Sequence, residues 1–512
     1  MKKLIEKLND TKILHLTVIV LGTIFISLSA FHSNMWFDES YSVGIANHSF
    51  KDIWIIGGSD VHPILYYFFL HIINLIFGNK IILYRLFSVL CATLLGVLGF
   101  THIRKDFGEK TGLIFSFLAF FFPPCFVYSG EIRMYSLAML LVSLTAIYAY
   151  RIYKNFDNFN IKNWIIFAIC SLASAYTHYY ALMTSGLINL ILMIILITKF
   201  IKTKKFDNNM KSFIICGIIQ VILYLPWLLS LLTQMGQVSS GFWIGIHFPD
   251  TLVELFTFQF TGNLTGSEYI SVTIALVWSV FVTAYMTYIY FTSYKKNKIS
   301  TKKEMFPAIT ALKLFLGIAL AACIVSLVIW RPIIYARYML CVMGLFIFFL
   351  AYTMDKKGNK WFNFTLCTMA LLISLTININ FINTNYDQSN IAPIKFINAN
   401  IKDNDIFVFS NMVGDNFGGF VICANYPERT AYYYNQQNWG IDKAYKAFTK
   451  DFNTITDLNA LNNISGRIWI ISTDNSATLN EIENNFDIKI LKQEHFYTKY
   501  KNYQYTISLI EK

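Results

Sequence analysis

The chain has 512 residues, 55% of them hydrophobic and 17% aromatic, but only 14% charged. A soluble domain carries about a quarter charged residues, so a water-soluble enzyme is excluded. The net charge of +12 does not indicate nucleic acid either, because Lys and Arg sit in short loops between apolar runs, where they set membrane topology. The eight cysteines form no CxxC pair, which suggests neither a zinc site nor a redox motif.

Apolar runs of about 18 residues or more recur from Ile13 to Phe381. They predict an α-helical polytopic membrane protein of eleven spans. The first run, Ile13 to Phe31, follows Lys2, Lys3, Lys7 and Lys12, which places the N-terminus in the cytoplasm. It lacks a small-residue cleavage site and reads as a retained span. The stretch His62 to Phe77 is short for a span. Crossing there would turn every later basic cluster outward, so it reads as an interfacial helix.

The second span ends at Arg104 and Lys105, and the third, Gly112 to Tyr128, emerges at Glu131. The fourth returns to Arg151 and Lys154, and the fifth emerges at His178. The sixth returns to Lys199, Lys202, Lys204 and Lys205. The seventh exits near Leu232 into a loop, Thr233 to Tyr269, with no Lys or Arg. The eighth reaches Lys295, Lys296 and Lys298, and the ninth emerges at Arg331. The tenth returns to Lys356, Lys357 and Lys360, and the eleventh exits near Phe381.

The composition then changes. Asn, Asp, Lys and Tyr rise, and apolar runs shorten to strand length at 405–409, 467–471 and 503–507. Helices are expected at 393–400 and 477–484. The domain expectation is a transmembrane catalytic domain, 1–382, with outer loops 32–81 and 233–269. A small extracytoplasmic α/β domain, 383–512, follows it.

With this parity five polar clusters share the outer side, and the reading is that they form one site. Asp38 and Glu39 are adjacent, so on a helix one faces a cavity while the other braces the backbone. A carboxylate at the edge of a low-dielectric cavity serves as a general base or holds a divalent metal. The ordinary alternative is an interfacial acid beside Trp36, Phe37 and Tyr41. Glu131, Arg133 and Tyr135 place acid, base and phenol within one turn; an intrahelical neighbour interaction is their bland reading. Ionisable groups at membrane depth usually mark function. Arg337, between Tyr335 and Tyr338, has the planar fork that suits phosphate, though arginines also snorkel. His62 and His178, with Tyr179 beside the latter, are ligand candidates or satisfied polar residues.

The ordered set Trp36-Phe37-Asp38-Glu39, His62-Pro63-Ile64-Leu65-Tyr66-Tyr67, Glu131-Ile132-Arg133-Met134-Tyr135, Thr177-His178-Tyr179-Tyr180 and Ala336-Arg337-Tyr338 resembles the GT-C superfamily of membrane glycosyltransferases. The likeness is to the branch of protein O-mannosyltransferases and aminoarabinose transferases, and it covers most of 10–380. Ile64 stands where the family usually has a second Pro.

The resemblance implies a GT-C fold and a polyprenyl-phosphate-linked sugar donor, with Asp38 as the key acid. Catalytic candidates are Asp38, Glu39 and Glu131. Substrate-binding candidates are His62, Arg133, Tyr135, His178, Tyr179, Tyr335 and Arg337. A divalent cation, Mg or Mn, is the cofactor this reading allows, on Asp38 and Glu131. The acceptor is a glycan, lipid or protein hydroxyl at the outer face of a bacterial plasma membrane, and membrane lipids are further partners. Nothing resembles a nucleotide-binding glycine loop. Competing readings are a lipid-linked saccharide flippase and a polysaccharide polymerase or ligase of another membrane family.

Overall fold

The computed structural model describes residues 11–240, 244–247, 249–262, 272–296, 303–410, 417–435, 442–462, 464, 466–472 and 477–512. Lys2, Lys3, Lys7, Lys298 and the loop end 263–269 lie outside them. The chain packs as two compact units. One is Met1–Ala30 with Leu86–Ile379, and the other is Phe31–Arg85 with Asn380–Lys512.

The first unit is helical. Among the described residues eight helices are long and apolar enough to cross a membrane, from Ile81–Phe107 to Lys360–Asn385. Helices also lie at three further expected spans, but Thr11–Ser27 and Ile161–Ala175 are shorter. The third is broken. Glu109–Phe121 stops at extended Phe122, and Pro123-Pro124 begin a separate short helix, Pro123–Val127. Proline cannot donate to the preceding turn and pushes the residue before it out of helical geometry.

Helix Asn208–Ser240 runs on past the expected exit at Leu232, and Asp250–Thr261 is helical too. The lysine-free loop is therefore partly ordered as helix.

Small residues let the helices close. Gly22 and Gly96 both lie against Phe120, where an added Cβ would meet ring carbons at 2.3 Å. Close approach of this kind replaces the hydrophobic drive that membranes lack. Basic helix ends are tied by Arg151–Asp106 at 2.6 Å, Thr111–Asp355 at 2.7 Å, Lys357–Glu304 at 2.5 Å and Lys199–Asp207 at 2.9 Å. These contacts gather the basic ends at one end of the unit.

The second unit holds a six-stranded sheet in the order β3-β2-β1-β4-β6-β5. Strands β1 (Ile406–Ser410), β2 (Thr430–Tyr434), β3 (Asp451–Ile455) and β4 (Arg467–Ser472) run parallel. Strands β5 (Lys489–Tyr497) and β6 (Gln504–Glu511) complete it as an antiparallel hairpin. Three of these strands match the sequence expectation. β2, β3 and β5 are Tyr-rich or polar, so a search for apolar runs passes over them.

One face is an aliphatic core of Val408, Ile468, Ile470, Leu479, Ile482 and Ile510. The other carries Phe409, Phe420 and Tyr433, and Phe420 stands 4.7 Å from Phe448. Phe37 of helix Phe37–Ile45 packs onto this aromatic layer, 4.4 Å from Phe417 and 5.6 Å from Phe448. The first outer loop thus packs with the C-terminal segment. Gly44 allows this, because a Cβ there would lie 2.5 Å from the Ala447 carbonyl oxygen.

Helix Leu65–Phe77 has 13 residues, too few to cross a bilayer. It buries Tyr66, Tyr67 and Leu70 and exposes Phe69, Ile72, Leu75, Ile76 and Phe77.

At the start of the central strand β1, buried Asp405 accepts from Arg467 Nε at 2.9 Å and from Trp469 Nε1 at 2.8 Å. Burial alone would raise its pKa, but the Arg467 fork, the Lys402 N–H and the Trp469 N–H outweigh it and hold the carboxyl below its ordinary value. A carboxyl lowered by folding stabilises above its unfolded pKa, and that contribution is lost as pH falls through the folded value. Asp405→Asn is therefore expected to lower the thermal unfolding midpoint at pH 7 and to flatten the decline below about pH 4. Unfolding scans of the detergent-solubilised chain between pH 3 and 7 check both; an unchanged acid limb removes Asp405 from the linkage.

Candidate active site

In the first unit, the ends opposite the basic clusters gather polar side chains from three stretches. The first is the break between Pro123–Val127 and helix Tyr135–Lys154. There the Arg133 N–H donates to the Glu131 carbonyl at 2.7 Å. This tight turn sets Glu131 and Arg133 just ahead of the helix, and Arg133 is buried.

The second stretch is the start of helix Tyr179–Thr203, capped by His178, whose Nδ1 accepts from the Tyr180 N–H at 3.1 Å. An accepting Nδ1 leaves the neutral ring with its proton on Nε2. The third is the 3₁₀ helix Ala336–Val342, entered from extended Tyr335.

These stretches meet through their rings. Tyr135 and His178 are 5.7 Å apart, and His178 and Tyr338 are 5.1 Å apart. The Arg337 guanidinium lies 5.7 Å from the Tyr135 ring and 5.3 Å from the Tyr335 ring. Cation–aromatic contacts of this kind fix the plane of the fork. Arg133 and Arg337 both act electrostatically on His178 and on Tyr135. The Tyr135 hydroxyl is buried and has no hydrogen-bond partner among the described residues. A buried donor left unmet is costly, and a ligand oxygen would relieve it.

Tyr179 is engaged elsewhere. Its hydroxyl accepts from Trp227 Nε1 at 3.2 Å and donates to Gln234, both on helix Asn208–Ser240.

One acid of this region was passed over in the sequence. Glu254, on helix Asp250–Thr261, acts electrostatically on Tyr128, and Phe258 one turn later packs 5.8 Å from the Tyr128 ring. Burial pushes the Glu254 carboxyl up. A lone acid amid Leu252, Val253, Leu255 and Phe256 was the available signal.

Asp38, Glu39 and His62 belong to the second unit. Glu39 is fully buried. Its Oε1 accepts from Arg85 Nη1 at 2.6 Å, and its Oε2 accepts from the Tyr500 hydroxyl at 2.8 Å. Arg85 Nη2 donates to the Asn34 carbonyl at 2.7 Å. The Phe37 N–H donates to the Tyr503 hydroxyl at 3.3 Å. Lys501, at the hairpin tip with φ of 59°, holds its ammonium 4.9 Å from the Trp36 ring.

Glu39 is thus the carboxylate that braces, and half-buried Asp38 is the one turned elsewhere. His62 is buried beside Pro63 at the start of helix Leu65–Phe77. Arg85 was missed in the sequence, although a charge early in an otherwise apolar run is a signal. Tyr500 and Tyr503 gave no signal, since only folding brings the hairpin to Glu39.

Asp38 and Glu131, the pair expected to hold a cation, lie in different units. Among the described residues no group of three or more His, Cys, Asp or Glu side chains could hold a metal ion. No step below runs through a cation.

The fold has a solved counterpart. The chain matches the structure of ArnT from Cupriavidus metallidurans bound to undecaprenyl phosphate, with a TM-score of 0.59 at 9% identity over 97% of both chains. Residues 61–230 match the family model of dolichyl-phosphate-mannose-protein mannosyltransferase. The chain has the GT-C fold. A looser likeness, TM-score 0.43 at 12% identity over 80% of this chain and 63% of the other, is to the archaeal oligosaccharyltransferase AglB from Archaeoglobus fulgidus. No curated protein matches the sequence. The matched stretch of this GT-C chain contains His62, Glu131, Arg133, Tyr135, His178 and Tyr179. It does not reach Asp38 or Arg337.

The Glu39 brace makes a prediction of its own. Glu39→Gln leaves Arg85 as an uncompensated buried charge, which typically costs about 3–5 kcal/mol. Tyr500→Phe removes one bond to a charged group, about 1.5–3 kcal/mol. Thermal unfolding of both variants in detergent should rank wild type above Tyr500→Phe above Glu39→Gln. Equal stability of all three would show that the brace carries no load.

Proposed function

We propose that this GT-C protein is a membrane glycosyltransferase that moves a hexosyl or pentosyl group from a polyprenyl-phosphate donor to an acceptor hydroxyl. The observation that carries this reading is the Arg337 fork, held between two tyrosine rings beside the unmet Tyr135 hydroxyl. An oriented guanidinium and a buried O–H donor suit a phosphate. Arg133 adds a second positive charge to the same cluster. Arg133, Arg337 and Tyr135 would stabilise the negative charge that grows on the leaving phosphate as the anomeric C–O bond breaks. The His178 Nε2–H is a further donor for phosphate or sugar oxygen.

Asp38 is assigned the general base on the family resemblance. It takes the acceptor proton as the acceptor oxygen attacks the anomeric carbon, while Glu39 holds its helix. Solved relatives support the donor class. The matched ArnT structure carries undecaprenyl phosphate, and the matched family is defined by a dolichyl-phosphate donor. The acceptor is a glycan, lipid or protein at the outer face of a plasma membrane. The N-terminus is cytoplasmic and residues 383–512 are extracytoplasmic. The loop asymmetry in Lys and Arg supports that topology.

Two variants separate the roles. Arg337→Lys keeps the charge but loses the fork, so donor KM should rise. Unchanged KM in both Arg337→Lys and Arg337→Ala would remove Arg337 from the phosphate site. Asp38→Asn keeps the size but cannot accept the proton. Turnover in proteoliposomes with a polyprenyl-phosphate sugar should fall about 10²–10⁴-fold, with donor binding little changed. Wild-type turnover in Asp38→Asn would overturn the mechanism.

A further inference from the structure

The basic end of the first unit contains a second feature that sugar transfer does not use. Helices Tyr135–Lys154, Tyr179–Thr203, Phe306–Val328 and Met343–Lys356 line a partly open apolar slot of about 120 Å³. Its walls include Phe107, Ala146, Tyr150, Leu192, Leu314 and Phe348. The Ser143 hydroxyl in the wall is already satisfied, donating to the Met139 carbonyl at 2.7 Å. Nothing in such a wall recognises a sugar or a nucleotide. The slot is open on one side, and in a bilayer a hydrocarbon chain is the available filler.

The rim says which chain. Tyr153 and Phe306, both lining residues, face each other at 5.6 Å. Lys154 adjoins Tyr153 in the chain and holds its ammonium 5.9 Å from the Tyr150 ring. Lys303 lies one turn before Phe306. Both lysines are exposed, and neither makes an ion pair among the described residues. By contrast Arg104, Arg151, Lys199, Lys356 and Lys357 at this end are all paired. Two uncommitted ammonium groups beside an apolar slot complement an anionic headgroup with a hydrocarbon tail. The slot is not the donor phosphate site. Tyr135 and Tyr150 are fifteen residues apart on one helix, about 22 Å along its axis.

We propose that this slot binds one acyl chain of an anionic bilayer phospholipid, with its phosphate between Lys154 and Lys303. The site is independent of the donor reading above, since it uses none of those residues.

The test is native mass spectrometry of the full chain in mild detergent after exchange into mixed phosphatidylglycerol and phosphatidylcholine. Wild type should retain one phosphatidylglycerol per chain. Ala146→Trp, which fills the slot, should abolish retention. Lys154→Glu with Lys303→Glu lies on the surface and leaves the walls intact. It should lower the preference for phosphatidylglycerol over phosphatidylcholine about tenfold or more. Retention unchanged in both variants overturns the site. So does retention of added polyprenyl phosphate in place of phospholipid, lost in Ala146→Trp, which would assign the slot to the donor's tail. Loss of transferase activity by Asp38→Asn with lipid retention intact supports this site and leaves its fate separate from the mechanism's.

Discussion

The second unit depends on a buried carboxylate. Glu39 has no access to water, and an isolated buried charge would not survive there. One of its oxygens accepts from Arg85 and the other from the Tyr500 hydroxyl. The three residues come from the helix after the first apolar run, the start of the next one and the last hairpin of the chain. Consecutive residues on a helix point about 100° apart. Committing Glu39 to the interior therefore turns Asp38 toward another face. The bracing of one acid sets the direction of the other.

The first unit solves a different problem. Its polar groups stand where helices stop, because a helix interior in a membrane satisfies its own backbone and leaves no donors over. The Pro123-Pro124 break, the His178 cap and the 3₁₀ turn at Ala336 create ends whose side chains reach out. Tight glycine contacts, such as those around Phe120, keep the helices rigid behind them. The Arg337 guanidinium is then oriented by the Tyr135 and Tyr335 rings, which give it a fixed plane.

The two ends of the helical unit divide the work. One end holds Arg337, whose plane is set by rings. At the other, Arg104, Arg151, Lys199, Lys356 and Lys357 are tied to acids, while Lys154 and Lys303 stand beside an apolar slot. Paired charges fix helix ends to one another, while unpaired charges at a rim are available to a headgroup. The distinction lies in the partners and not in the number of basic residues.

What the sequence by itself determined follows from its apolar runs. Their length gave the polytopic helical class and the short Leu65–Phe77 helix, and the polar clusters stand at the ends of those runs, since membrane thickness and charge act on contiguous segments. Asp38, Glu131, Arg133, His178 and Arg337 were legible because a charge or imidazole at a span end stands out against hydrocarbon. Tertiary structure alone decided that Glu39 braces against Arg85 and Tyr500 and that Tyr179 faces helix Asn208–Ser240. It also decided that the first outer loop packs with the C-terminal sheet. Each of these rests on contacts between residues far apart in the chain, up to 461 positions for Tyr500 and Glu39. Periodicity reports the environment of a segment, but the partner across the fold is chosen by packing.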